Sequence, residues 1–145
     1  MMSNQARKKK ALRKIHRRIP KLFEKEIRAM IYKELPTAFI YKPPDGPFGA
    51  RRPFDYLILD DGFFGGVECK SKTSEDVDSA EWDPKEVKPH QLDCLKKVKS
   101  CGGFAYVVLG WYQLDFPNYK LKKIFTFTPE EIEKLLASDK NVHYK

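Results

Sequence analysis

Cysteine is scarce: the chain holds three in 145 residues, with no Cys-x-x-Cys pair. An odd, unpaired set argues against a disulfide scaffold or a zinc ribbon and predicts free thiols in a reducing compartment. Cys69, Cys94 and Cys101 fall within apolar patterns and are expected to serve packing. Long apolar runs are also missing. None approaches the roughly 18 residues that span a bilayer, and the basic N-terminus has no apolar h-region, so no secretory signal is expected. Internal repeats are lacking, which excludes a solenoid. Acidic residues are wholly absent from the first 21 positions, and that absence organises the rest of the charge.

Those positions carry Arg7, Lys8, Lys9, Lys10, Arg13, Lys14, Arg17, Arg18 and Lys21, while the whole chain is +8, so the remainder is close to −1 by difference. A cationic arm on a near-neutral body is the footprint of a phosphate-backbone binder, and DNA is the expected partner. Leu12, Ile15 and Ile19 form only a thin apolar stripe, too little for a membrane-surface helix. With 41% hydrophobic and 13% aromatic residues, the body is expected to fold as one domain over residues 21–145. Residues 1–20 form the arm, flexible until it meets its partner.

The body alternates helix and strand. Pro20 suits the first turn of a helix running to about Leu35, with Phe23, Ile27, Met30 and Ile31 as its core stripe. A short strand is expected at residues 37–41. Four prolines and two glycines make residues 42–53 a loop. Strands at 54–60 and 63–70 flank Asp61-Gly62. Residues 71–86 are polar and lack periodicity, and are expected to move. A second helix opens near Pro89 and stops at Gly102-Gly103. Residues 104–111 read as a strand buried on both faces, and residues 121–127 as another. Thr128-Pro129-Glu130-Glu131 starts the last helix with an N-cap, a proline at the first position and a capping-box glutamate.

Asp-Gly is a preferred two-residue hairpin loop. Pairing residue 60 with 63 and counting outward places Asp55 opposite Glu68, with their Cβ atoms about 4.5–5.5 Å apart. A three-residue loop, Asp60-Asp61-Gly62, would shift that pairing. Alternation turns Lys70 to the face of Glu68. Two carboxylates forced together beside an ammonium resemble a divalent-metal site. Asp60 and Asp61 read as turn residues. Glu24 lies on the ridge of Ile27 and Ile31, either as a solvated boundary residue or aimed at a cation. Gln91 heads the stripe of Cys94, Leu95 and Val98, where a buried amide needs a partner. His90 reads as a surface residue.

Taken in order, Phe23-Glu24-Lys25-Glu26-Ile27, Phe54-Asp55-Tyr56, Val67-Glu68-Cys69-Lys70 and His90-Gln91-Leu92 through Val107 resemble the PD-(D/E)xK nuclease superfamily. Within it, the pattern is most similar to Holliday-junction resolvases of the archaeal and RecU types. Two features depart from it. The family's proline before the aspartate is Phe54, with Pro53 one place earlier, and the long stalk insertion of RecU proteins has no counterpart.

The resemblance implies an α/β, restriction-endonuclease-like core, a mixed central sheet flanked by helices. It implies Mg²⁺, with Mn²⁺ able to substitute, held by Asp55, Glu68 and the Cys69 carbonyl. Lys70 would orient or deprotonate water, Glu24 would complete the site, and Gln91 would hold water or phosphate. It further implies a homodimer cutting four-way junctions in DNA recombination or repair, in the cytoplasm of a prokaryote or a virus-infected cell. Restriction, nicking, flap and fork nucleases share these residues. A DNA-binding module without activity and an RNA-directed nuclease are the other readings.

Overall fold

The computed structural model describes residues 2–45 and 51–145, so residues 46–50 of the expected loop lie outside the described residues. The first helix, α1, spans Asn4–Glu34. It opens fifteen residues or so before the position expected from Pro20, absorbing the whole basic arm. Ser3 caps it by accepting from the Ala6 N–H at 3.1 Å. A proline inside a helix removes one hydrogen bond and crowds the preceding turn. Here packing overrides that cost. Ile15, Ile19, Phe23 and Ile27 recur every fourth residue and are buried, in one cluster with Leu12 and with Leu114, Phe116, Tyr119 and Leu121 of the far hairpin.

Five strands form the main sheet: β1 (Phe39–Tyr41), β2 (Tyr56–Asp60), β3 (Phe63–Ser74), β5 (Phe104–Asp115) and β6 (Asn118–Phe127), in the order β1-β2-β3-β5-β6. Among the described strands only β3 and β5 run parallel, joined through helix α2 (Pro89–Ser100) in the crossover such a pair requires. The expected mixed sheet flanked by helices is therefore present. Helix α1 and its cluster cover one face. Helix α2, helix α3 (Pro129–Ala137) and their cluster cover the other. Thr128 and Glu131 form the expected capping box on α3.

The hairpin register is as expected. Asp60 pairs with Phe63 and Tyr56 with Val67, and both loop residues, Asp61 at φ 34° and Gly62 at φ 84°, are left-handed as a two-residue type I′ loop demands.

Residues 71–86 contradict the expectation of a mobile segment. Strand β3 continues through Ser74, and a two-residue strand β4 (Glu81–Trp82) pairs with β7 (Val142–His143). Short 3₁₀ turns cover Val77–Ser79 and Pro84–Glu86. Val77, Ala80, Trp82 and Val87 are buried in the α2-side core. Their spacing follows neither the helix nor the strand period, so no sequence pattern announces them. Of the thiols, Cys69 and Cys94 are half-buried and pack against the α1-side and α2-side clusters as expected, whereas Cys101, just past the end of α2, is exposed.

Candidate active site

Alternation along β3 sends Val67 and Cys69 into the α1-side cluster. Glu68 and Lys70 therefore face α2. Asp55 sits one step beyond the last β2 pair, Tyr56 with Val67, which places it beside Glu68. The residue before it anchors the arrangement: the Phe54 ring is buried on Gly66, where a Cβ would come within 2.9 Å of Phe54 Cζ. On the opposite face a second close approach seats α1. A Cβ on Gly110 would lie 2.5 Å from Phe23, so the helix lies low and delivers Glu24 to the same rim.

The resulting cleft, about 430 Å³, is lined by Glu24, Arg52, Asp55, Glu68, Lys70 and Gln91, among others. Asp55 is 4% exposed and Glu68 3%. Asp55 Oδ2 accepts from the Cys69 N–H at 2.7 Å, and its Oδ1 lies 3.7 Å from Arg52 Nη2. Glu68 Oε2 lies 3.1 Å from Lys70 Nζ. Glu68 Oε1 is buried with no hydrogen-bond partner among the described residues. Lys70 also donates to Gln91 Oε1 at 3.2 Å, and that oxygen accepts the Lys88 N–H at 2.9 Å. Gln91 is thus both the satisfied amide and the link between α2 and the lysine. Glu24 is paired with Lys42 at 2.6 Å.

Desolvation by burial, then the neighbouring Glu68 charge, push the Asp55 carboxyl up to about 8 from an ordinary 3.8, against the lowering effect of the Cys69 N–H. Burial also pushes the Cys69 thiol far above its usual range, so Cys69 enters the site through its backbone and not as a thiolate. Both features describe a site with more buried negative charge than its own donors neutralise.

An orphaned carboxylate oxygen next to a second, electrostatically strained carboxylate fits a hard divalent cation. Mg²⁺ is commonly held by one or two carboxylates, with water and substrate phosphate completing its shell. Among the described residues no three His, Cys, Asp or Glu side chains are grouped so as to hold a metal ion, so the carboxylate pair is the whole of the protein's side-chain donor set there.

The nine basic residues are all exposed on α1 and none lines the cleft. Arg17 and Arg13 precede Glu24 by seven and eleven residues, close to two and three helical turns, so they share its side of the helix. Lys8 instead lies over the Phe116 ring, 5.3 Å from its centroid. Lys42, Arg52 and Lys88 form a cationic rim that the sequence reading passed over. The available signal was Arg51-Arg52 just ahead of Asp55. Glu86, another lining residue, accepts from the Trp82 indole. His90 accompanies Arg51 at 3.5 Å and stays on the surface side.

No helix among the described residues is long and apolar enough to cross a membrane. No protein-family model matches the chain, and no curated protein matches it. Among solved structures it is similar to Hjc, a Holliday junction resolvase from the archaeal hyperthermophile Archaeoglobus fulgidus. The identity is 13% and the TM-score 0.42, over 79% of this chain and 92% of that one.

Proposed function

We propose that this protein is a divalent-metal-dependent endodeoxyribonuclease that resolves four-way DNA junctions by paired nicks during recombination or repair. The observation that carries the reading is the buried Asp55–Glu68 pair, with an unpartnered Glu68 oxygen and Lys70 Nζ 3.1 Å away, at the floor of an open cleft.

Asp55 and Glu68, with the Cys69 backbone, would hold Mg²⁺ or Mn²⁺. Such an ion supplies Lewis-acid polarisation of the phosphate and a bound water of lowered pKa. Lys70 is held between Glu68 and Gln91, where its ammonium orients the attacking water and offsets charge developing on the phosphate. Gln91 fixes the lysine's direction. Glu24 closes the acidic side of the site, and its Lys42 partner offers a cation to an incoming backbone. The exposed basic face of α1 holds DNA outside the cleft. Cutting two opposed strands symmetrically calls for two such sites about a two-fold axis, which an isologous homodimer supplies.

The test is cleavage of a mobile four-way junction beside matched duplex, flap and single-stranded substrates, with and without Mg²⁺. Paired nicks on opposed strands, only with metal, are expected. Preference for a flap or fork would remove the junction assignment and keep the nuclease. No cleavage with either metal would end the nuclease reading.

A further inference from the structure

The open part of the α2-side sheet face carries aromatic rings where a monomeric protein would place polar groups. Ile40 is buried towards α1, so Phe39 and Tyr41 point the other way, to the face that holds Asp55 and Glu68. Phe39 is 60% exposed and Tyr41 44%. Their rings are parallel to within 8°, with centroids 6.4 Å apart. Leu59, paired with Phe39, is 43% exposed beside them. Helix α2 packs over β3 and β5 and leaves β1 and β2 uncovered on this side among the described residues.

Register ties the rings to the carboxylates. Tyr41 pairs with Leu57, and Leu57 with Gly66. Asp55 and Glu68 occupy the next same-face row. Two residues along a strand and one strand across amount to roughly 8 Å between Tyr41 and Asp55, and Phe39 lies about 7 Å further out. Lys42 follows Tyr41 directly and reaches Glu24, a residue of the cleft's rim, at 2.6 Å.

We propose that Phe39 and Tyr41 form a stacking shelf for unpaired bases of a DNA strand whose backbone lies at the Asp55–Glu68 cleft. This rests on the nuclease reading and narrows its substrate to DNA with unpaired or unstacked bases beside the cut. Aromatic faces accept any base without regard to sequence. A continuous duplex keeps its bases stacked inward and offers the shelf nothing, whereas a branch point or gap does. A second copy of the chain is the poorer occupant. The edge strand β1 is three residues long, and so short an edge offers a second chain few backbone groups to pair with.

The test compares binding of an intact duplex, the same duplex with a short single-stranded gap, and a four-way junction, by fluorescence anisotropy in EDTA so that nothing is cut. Phe39→Ala and Tyr41→Ala are each expected to weaken gapped and branched DNA about 5- to 150-fold, the range for losing one stacked base, and to leave duplex binding unchanged. Phe39→Leu, apolar without a ring, should behave like alanine, and Tyr41→Phe like the parent. Because both rings are exposed, thermal unfolding should not move. Equal losses on duplex and gapped DNA, or no loss on either, would overturn the shelf. So would a concentration-dependent dimer in sedimentation that Phe39→Ala dissociates. If Mg²⁺ assays find no nicking while the selective binding loss persists, the nuclease reading fails and the shelf stands. Nicking that is indifferent to both alanines, with binding equally indifferent, leaves the nuclease without the shelf.

Discussion

Lys70 Nζ donates to Gln91 Oε1 at 3.2 Å, tying the charged strand β3 to the first turn of α2. The ammonium already neutralises one oxygen of Glu68, so Gln91 does not need to supply charge. It supplies direction, and the other claims on its oxygen come from the Lys88 backbone alone.

Lys70→Ala is expected to lower single-turnover cleavage by about 10²- to 10⁴-fold, the span for a positioned acid–base or water-orienting group, while DNA affinity stays within a few-fold. Gln91→Ala should cost less in rate than Lys70→Ala, because the lysine survives but points less well. Rapid-quench cleavage and anisotropy binding read the two quantities separately. A Lys70→Ala protein that still cuts at the parent rate would remove the residue from the chemistry.

Asp55 predicts a pH signature in metal-free protein. Its folded pKa is raised, to about 8 from 3.8, chiefly by burial and secondly by the Glu68 charge. A raised carboxyl pKa means that the folded state binds the proton more tightly than the unfolded state. The contribution to stability is therefore full below about pH 4, fades as pH rises, and is lost above about pH 8. Asp55→Asn keeps an oxygen for the Cys69 N–H and has no proton to lose. In EDTA it should be more stable than the parent by an amount that grows from pH 5 to pH 8.5, reaching a few kcal/mol. Urea titrations at the two pH values give that difference directly, and a gap that is flat or shrinks with pH would contradict it.

Magnesium should reverse the ranking. With the carboxylate pair occupied, the parent gains stability by mass action, and Asp55→Asn gains little. Thermal melts against Mg²⁺ concentration, at pH 8, are the measurement, and equal shifts in both proteins would place the ion elsewhere.

Gly110→Ala forces a methyl to within 2.5 Å of the fully buried Phe23 ring. Neither the ring nor the strand has room to yield, so a loss of about 1–3 kcal/mol is expected, with a larger fall in cleavage than in DNA binding because Glu24 rides on the same turn of α1. Denaturant melts and paired activity assays test both halves.

Arg13 and Arg17 share the side of α1 that carries Glu24, roughly 16 and 10 Å from it at 1.5 Å per residue. Each alanine variant should lower the slope of log affinity against log salt by about 0.9, as one lost phosphate contact does. Lys8, occupied over Phe116, should change it less. Salt titrations of all three variants decide between a one-sided track and a diffuse positive tail.

Much of the site was legible because its determinants are local. Asp61-Gly62 fixes the loop, the loop fixes the register, and alternation by twos puts Asp55, Glu68 and Lys70 on one face. The Thr128–Glu131 capping box starts α3 for the same reason. The start of α1 was not legible: Pro20 looks like a beginning, and only the far hairpin, through Leu114, Phe116 and Leu121, gives Ile15 and Ile19 something to bury against. Residues 71–86 were hidden because Trp82 and Val77 reach the core from short irregular turns.

The chain alone therefore set the signs and rows of its chemistry: a basic N-terminal half of the first helix, two facing acids, and a lysine one alternation away. Tertiary structure decided what surrounds them. It brought Lys42, Arg52 and Gln91 to the rim, left one Glu68 oxygen without a partner, and exposed Phe39 and Tyr41 beside the cleft. Turn geometry and side-chain alternation act over a few residues and can be counted. Burial and neighbouring charge depend on segments tens of residues apart, and exist only once the sheet and helices have packed.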